Sequence, residues 1–352
     1  MASGPERVVG WDVGGAHLKA CLLESGRVVD VAQWGCPLWK GLPHLDEAIA
    51  AALARWPRTL DAATRHAATM TGEMVDLFAD REQGVARLAV ALAESLGPSL
   101  QLYAGAAGFV PPHEARRHWR AIASANWRAT GAVLAPRLGD ALLLDIGSTT
   151  TDVIPLRNGR VADQGTDDAG RLASGELVYQ GVVRTPLCAL AARVPFEDRQ
   201  VNVMNEFFAT SADVYRLTGE LDPAHDQDAT ADDQGKDLPA TRRRLARMIG
   251  HDARDRPDSA WQALALAWRA LQVADIDSQV ERVAASAGLA VAAPIVGAGC
   301  GAFLAADIAR RAGRRFVRFS EVMAPGSDAA LAGWVDVCAP AVAVAALARG
   351  EA

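Results

Sequence analysis

An apolar run that ends in Asp and breaks at glycine occurs once in each half of this 352-residue chain. The first is Val8-Val9-Gly10-Trp11-Asp12-Val13-Gly14-Gly15-Ala16-His17, and the second is Leu142-Leu143-Leu144-Asp145-Ile146-Gly147-Ser148-Thr149-Thr150-Thr151-Asp152. Each reads as a buried strand, a tight turn and a second strand running away. Glycine lets backbone N–H groups approach an anion closely, and an Asp holds a cation or a water. One such motif is common by chance. Two of them, answered by a third glycine loop at Val296-Gly297-Ala298-Gly299-Cys300-Gly301-Ala302-Phe303, point to a duplicated α/β architecture whose halves close on one ligand.

The length exceeds what one core usually supports, so two domains are expected. The spacing predicts strands at 7–13, 17–23 and 27–33, a helix over 45–55, a strand at 65–70, a helix over 81–96 and a strand at 100–103. It also predicts a helix over 113–126 with Trp119 and Ile122 on one side. Pro136 and the glycines at 131 and 139 place the boundary there, giving domains 1–138 and 139–352. The second half restarts with strands at 141–145, 151–157 and 159–164, the last two joined by the Asn158-Gly159 turn. Next comes a helix-rich insertion (about 195–288), then strands at 291–296 and 315–319 around a helix at 302–312, and an Ala/Val-rich helix from Pro340. Within the insertion, residues 222–237 are acidic and poor in apolar side chains, which reads as a surface loop.

Half the residues are hydrophobic, 22% are charged and the net charge is -6, an ordinary enzyme-like balance that argues against a nucleic-acid binder. The first residues carry no apolar signal core and no apolar run is long enough to span a bilayer, so a cytoplasmic protein without membrane partners is expected. Five cysteines without C-x-x-C spacing suit reduced thiols.

The second turn is the richer one, because Ser148, Thr149, Thr150 and Thr151 add hydroxyl donors for phosphate oxygens to the backbone of Gly147. Thr151 is equally a good strand residue. The third loop fails as a dinucleotide fingerprint, since no acidic ribose-binding residue occurs on the next strand. Gly297, Gly299 and Gly301 still offer a strand–turn–helix anion site. Lys19 shares a strand face with His17 and is either a phosphate contact or an exposed strand lysine.

These loops resemble the phosphate-1, phosphate-2 and adenosine loops of the actin/sugar kinase/Hsp70 superfamily, and the second most resembles hydantoinase A/oxoprolinase proteins. Longer stretches are similar to the one-carbon, tetrahydromethanopterin-linked branch of that family: Asp12 to Lys19, Met70 to Asp76, Gly175 to Gly181 with Arg184-Thr185-Pro186, and Asn205 to Thr210 with Asp213 to Gly219. The resemblance covers nearly the whole chain. It implies two duplicated RNase H-like (actin-like ATPase) domains with a helical insertion in the second. It also implies ether formation in methanofuran biosynthesis, in which an aminomethylfuran-methyl diphosphate joins the phenol of a glutamyl-tyramine or tyrosine-like acceptor and diphosphate leaves. Gly14, Gly15, Ala16 and His17 would then hold phosphate with the second and third loops. Ala16 stands where nucleotide-binding relatives often carry a hydroxyl, which favours a diphosphate over kinase chemistry. Asp12 and Asp145 suit Mg²⁺. Glu73 and Asp76, after the cap-like Thr71, read as base and metal contact or as acids favoured by a helix dipole. Tyr179, Arg184, Asn205 and Tyr215 would frame the substrate, or pack. His225 and Asp226 would belong to a lid, or to a solvated connection. The partners implied are a diphosphate and a phenolic acceptor, with a homodimer open. The alternative is an ATP-dependent hydrolase or kinase of the hydantoinase/oxoprolinase type, with ATP in the same place.

Overall fold

The computed structural model describes residues 7–61 and 63–350. They fall into two compact units. One holds the chain up to Ala141, Ile154–Ala169 and the chain from Val317; the other holds Leu142–Val153 and Gly170–Phe316. The first passage between units lies beside the boundary expected at 138, but the chain returns to the first unit twice.

In the first unit, strands β1 (Arg7–Val13), β2 (His17–Glu24), β3 (Arg27–Gly35), β4 (Thr64–Met70), β5 (Leu100–Tyr103) and β6 (Phe109–Val110) form one sheet in the order β3-β2-β1-β4-β5-β6. β1 is antiparallel to β2 and parallel to β4. It is buried from Val8 to Val13, as expected of a strand covered on both faces. The helix Ala339–Arg349 packs on β1, β2 and β4 and buries all its alanines and valines, which explains why the C-terminal segment belongs to this unit. A Cβ on Gly10 would lie 2.0 Å from the carbonyl oxygen of Ala341; the missing side chain is what lets this helix sit so close.

The second sheet comprises β7 (Ala141–Ile146), β8 (Thr151–Arg157), β9 (Arg160–Val161), β10 (Leu177–Val178), β13 (Ile295–Ala298) and β14 (Phe316–Arg318), in the order β10-β8-β7-β13-β14 with β9 on β8. Here β7 lies between its hairpin partner β8 and the parallel strand β13, as β1 lies between β2 and β4. The fold is therefore α/β with a duplicated RNase H-like arrangement. The insertion contains a small hairpin, β11 (Arg193–Phe196) with β12 (Arg199–Asn202), and helices Ser211–Thr218, Leu238–Arg247 and Asp258–Ser286. These pack Trp261, Trp268 and Tyr215 into the core of the second unit.

Three local expectations are corrected. Residues 131–139, where the boundary is expected, are not loop but mostly the end of the helix Asn126–Leu138. A Cβ on Gly131 would meet Val161 Cγ2 at 2.9 Å and Ile154 Cγ2 at 3.1 Å, so this glycine serves packing. Pro136 lies in the last turn, and Gly139, at φ +73°, closes the helix by donating to Ala135 O. The helix expected over 113–126 is broken into a turn at Pro112–Glu114 and a short helix at Trp119–Ile122. It ends at Ser124, held at φ +51°, a conformation that stops an α-helix. Finally, β9 and β13 are shorter or shifted relative to 159–164 and 291–296.

Among the described residues no single helix is long and apolar enough to cross a membrane, and all five cysteines are free. Gly10→Ala is expected to lower stability by about 2–3 kcal/mol, since a backbone oxygen cannot step aside; urea unfolding followed by circular dichroism measures it.

Candidate functional site

In the first unit the chemistry gathers where β1 and β4 end. Asp12 stands opposite Lys19 on β2 and Thr69 on β4. The turn after β1 is closed by the Gly14 N–H donating to His17 O at 3.0 Å. The loop after β4 is stitched to this turn, with the Thr71 N–H donating to Val13 O at 2.9 Å. Gly72 fits there because a Cβ would be 2.7 Å from Leu38 Cδ2 and 3.2 Å from both Val13 O and Gly14 O. The carbonyls of Gly15 and Ala16 accept from the N–H groups of Leu38 and Cys36.

Glu73 and Asp76 part company. The segment is a single turn, Gly72–Met74, with no side-chain cap from Thr71; Glu73 is buried and Asp76 is exposed. The helix Arg81–Leu96 presses onto Glu73 at Gly84, where a Cβ would lie 2.4 Å from Glu73 O. Glu73 Oε1 accepts from Ser124 Oγ at 3.0 Å, and Oε2 has no hydrogen-bond partner among the described residues. Burial pushes this carboxyl up to about 7, and the nearby Asp168 pushes the same way. The Glu73 backbone N–H, Ser124 and Arg81 act against them. A carboxyl poised near neutrality suits proton transfer.

The second unit repeats the turn. Asp145 lies one residue before the end of β7, opposite Ala298 on β13, and the Gly147 N–H donates to Thr150 O at 2.8 Å. The Gly301 N–H donates to Ile146 O at 2.8 Å. A Cβ on Gly299, which adopts φ +80°, would fall 2.2 Å from Ile146 O and 2.7 Å from Asp145 Oδ1. The third-loop glycines thus act first by permitting close approach. Gly297 lies within β13, where a Cβ would strike the Phe316 ring at 2.6 Å, so it packs rather than faces an anion. Thr151 is also inside the sheet, fully buried, with its hydroxyl donating to Gln180 O. Ser148, Thr149 and Thr150 remain half-buried, with Ser148 Oγ 3.4 Å from Thr149 Oγ1.

Sequence reasoning named Gly181, Arg184, Thr185 and Tyr215 but missed Gln272 and the way these residues shape the turn. Residues 181–184 run along it: the Val182 N–H donates to Gly147 O, and the N–H groups of Val183 and Arg184 donate to Ser148 O. A Cβ on Gly181 would come within 2.5 Å of Gly147 O and Thr149 N. Behind it, Thr185 Oγ1 accepts from the Gly181 N–H and donates to its carbonyl. Gln272 Nε2 donates to that same carbonyl at 3.0 Å, and Tyr215 Oη orients Gln272 by donating to its Oε1 at 2.6 Å. Tyr215 is fully buried; it supports the loop instead of touching substrate.

Arg184 Nη1 is 3.5 Å from Thr149 Oγ1 and its Nε is 3.7 Å from Asp228 Oδ1. The acidic segment is the mostly exposed loop expected, but several of its acids are pinned by cations. Asp226 is buried between Arg216, at 2.6 Å, and Lys236, at 3.1 Å, while Arg244 bonds both Asp213 and Asp232. Asp226 is therefore held by protein cations, and His225 is half-buried beside it. Tyr179 and Asn205 are exposed.

Among the described residues there is no group of three His, Cys, Asp or Glu that could hold a metal ion. Asp12 and Asp145 are the carboxylates near the ends of β1 and β7. Either would hold Mg²⁺ only as that ion is usually bound, by one or two carboxylates with phosphate oxygens and waters filling the shell.

A family model described as hydantoinase/oxoprolinase matches residues 65–343, most of the chain. The chain belongs to that family. It is 28% identical over 246 residues, 70% of this chain and 72% of the relative, to the (4-{4-[2-(gamma-L-glutamylamino)ethyl]phenoxymethyl}furan-2-yl)methanamine synthase of Methanocaldococcus jannaschii. It is 44% identical over 75 residues to the synthase of the same name from Methanococcus vannielii, covering 21% of this chain and 33% of that protein. Among solved structures, a nucleotide-free acetone carboxylase aligns with a TM-score of 0.56 at 11% identity, over 97% of this chain and 70% of that one; this likeness concerns the fold.

Two substitutions in this family member have defined expected outcomes. Gly181→Ala is expected to displace the Gly147–Thr149 turn, whose backbone it would strike, and to lower stability by about 1–3 kcal/mol, as read from urea unfolding. Glu73 carries its raised value only when folded, so the native state loses stability as pH climbs from 4.5 through about 7. Glu73→Gln does not titrate, and should be the more stable protein by about 3 kcal/mol at pH 8. Relative to its value at pH 8, that advantage should shrink by the same amount below pH 4.5, as read from urea midpoints across pH.

Proposed function

We propose that this protein is an ether-forming synthase of a methanofuran-type one-carbon carrier. An aminomethylfuran-methyl diphosphate reacts with the phenol of a glutamyl-tyramine or tyrosine-like acceptor. The phenol oxygen attacks the exocyclic CH₂ and the CH₂–O–P bond breaks. Diphosphate departs with the bonding electrons, and the phenol proton passes to Glu73.

The observation that carries this reading is the hydroxyl-rich turn Gly147–Thr150. It is clamped from behind by Gly181, and Arg184 lies beside Thr149. Leaving-group departure needs negative charge stabilised by groups already in place, and fixed N–H, hydroxyl and guanidinium donors provide that without reorganisation. Mg²⁺ bound at Asp145 would supply further charge neutralisation on the diphosphate. A free phenol ionises near pH 10, so a base is needed at neutral pH, and Glu73 is the buried carboxyl whose proton affinity suits the task. The names of the two archaeal synthases describe a phenoxymethyl-furan product, which is the bond this reaction makes.

The test is product formation. Purified protein with Mg²⁺, the furan-methyl diphosphate and a series of tyramine- and tyrosine-like phenols should release one diphosphate per ether detected by mass spectrometry. The double variant Ser148→Ala/Thr149→Ala should lose about 10²-fold in kcat/KM. ATP hydrolysis without ether formation, together with no affinity for diphosphate, would replace this reading by the ATP-dependent one.

A further inference from the structure

The hydroxyl of Ser124 lies between two acids. Ser124 Oγ is 3.0 Å from Glu73 Oε1 and 3.1 Å from Asp168 Oδ2. The same Asp168 oxygen receives Arg81 Nη2 at 2.7 Å, and that arginine nitrogen is also 3.4 Å from Met74 Sδ. All four polar residues belong to the first unit. Ser124 reaches this position from a left-handed backbone, φ +51°, between the short helix Trp119–Ile122 and the helix Asn126–Leu138. Such a conformation costs about 1 kcal/mol or more in a non-glycine residue and persists where its surroundings enforce it.

One hydroxyl carries one hydrogen. Its two contacts are both hydrogen bonds only if one of the two carboxyls is protonated and donates to Ser124. Asp168 is in an ion pair with Arg81, which makes it the acceptor. Glu73 has no guanidinium on it, and so is the acid that carries the hydrogen when one of the two is protonated; once it is ionised, its Oε1 accepts from Ser124 Oγ. When Glu73 loses its proton, Ser124 has a single hydrogen for two competing anions.

We propose that Ser124, Asp168 and Arg81 form a brace that positions Glu73 and modulates its charge, leaving Oε2 as the oxygen that takes the substrate's proton. This deepens the base role given to Glu73 above and rests on it. Ser124 pins Oε1, so Oε2, buried and without a partner among the described residues, is the remaining acceptor. The charged groups that reach Glu73 are Asp168, whose negative charge favours the protonated form, and Arg81, whose positive charge opposes it. Asp168 and Arg81 touch neither substrate nor the transferred proton; they act through Ser124 and through their fields.

The signature is a pair of opposite shifts. In substrate-free protein labelled with [5-¹³C]glutamate, the Glu73 carboxyl resonance, assigned by its loss in Glu73→Gln, should titrate near neutrality. Asp168→Asn should move that midpoint down, and Arg81→Gln should move it up, each by about one pH unit. Arg81→Lys, which keeps the charge, should restore most of the wild-type midpoint. A role limited to folding would lower thermal stability in all variants without opposite shifts, and unchanged midpoints in the two charge variants would overturn the brace. Should Ser124→Ala fail to fold, the two charge variants still decide. The pH profile of diphosphate release is then read separately. If it tracks the carboxyl midpoints, Glu73 is the base; if the midpoints shift and the profile does not, the brace stands and the base assignment falls.

Discussion

Both carboxylate turns depend on the same hydrogen bond. The carbonyl of the residue after the Asp accepts an N–H from the loop that leaves the adjacent parallel strand: Val13 O from Thr71, and Ile146 O from Gly301. That bond is short-range but demanding, since it draws a loop over a turn that must itself stay open. Only residues without a Cβ fit between them. Gly72 fills the gap in one unit and Gly299 with Gly301 in the other. The duplicated glycines are therefore a requirement of backbone packing.

Beyond that bond the two copies diverge. In the first unit the residues after Thr71 are Gly72 and Glu73, and the chain makes one turn before the helix Arg81–Leu96 seals the acid from water. In the second unit the residues after Gly301 are Ala302 and Phe303, which open the helix Ala302–Arg311. The Phe303 ring packs edge-on against Tyr215, with centroids 5.2 Å apart, and Tyr215 holds Gln272, which holds Gly181 against the hydroxyl turn. One copy has spent the position on a titratable group, and the other on rigidity for a phosphate-type loop.

Much of this was legible in sequence because it is local. The strand–Asp–Gly turns, Gly147 to Thr150, Glu73 and the Ala/Val-rich C-terminal helix are each announced by a few consecutive residues. The illegible parts depend on partners distant in the chain. Gly131 looks like a hinge until Ile154 and Val161 are placed beside it. Thr151 and Tyr215 look like ligands until their hydroxyls find Gln180 and Gln272. The segment 222–237 is the exposed loop its composition suggests, but composition counts its charges and not the arginines, Arg216 and Arg244, that pin Asp226 and Asp232. Ser124 gave no signal, since its role comes from a backbone conformation and from acids 51 and 44 residues away.

The same chain buries carboxylates in two ways, and the contrast bears on Glu73. Burial alone would raise the proton affinity of Asp226, yet its bonds to Arg216 and Lys236 overcome that effect and hold it below the usual carboxylate range. The cost of taking this charge out of water is offset by cations in contact. Glu73 is at least as deeply buried, but its direct side-chain partner is a neutral hydroxyl, and the nearest guanidinium is bound to Asp168 instead. Desolvation therefore stays uncompensated and the group remains near its midpoint at neutral pH. An acid needed only for packing gains nothing from that arrangement, since an apolar side chain would fill the space without the charge. A group that must take and return a proton during each turnover gains from it directly, because both of its states are then populated at the pH where the enzyme works.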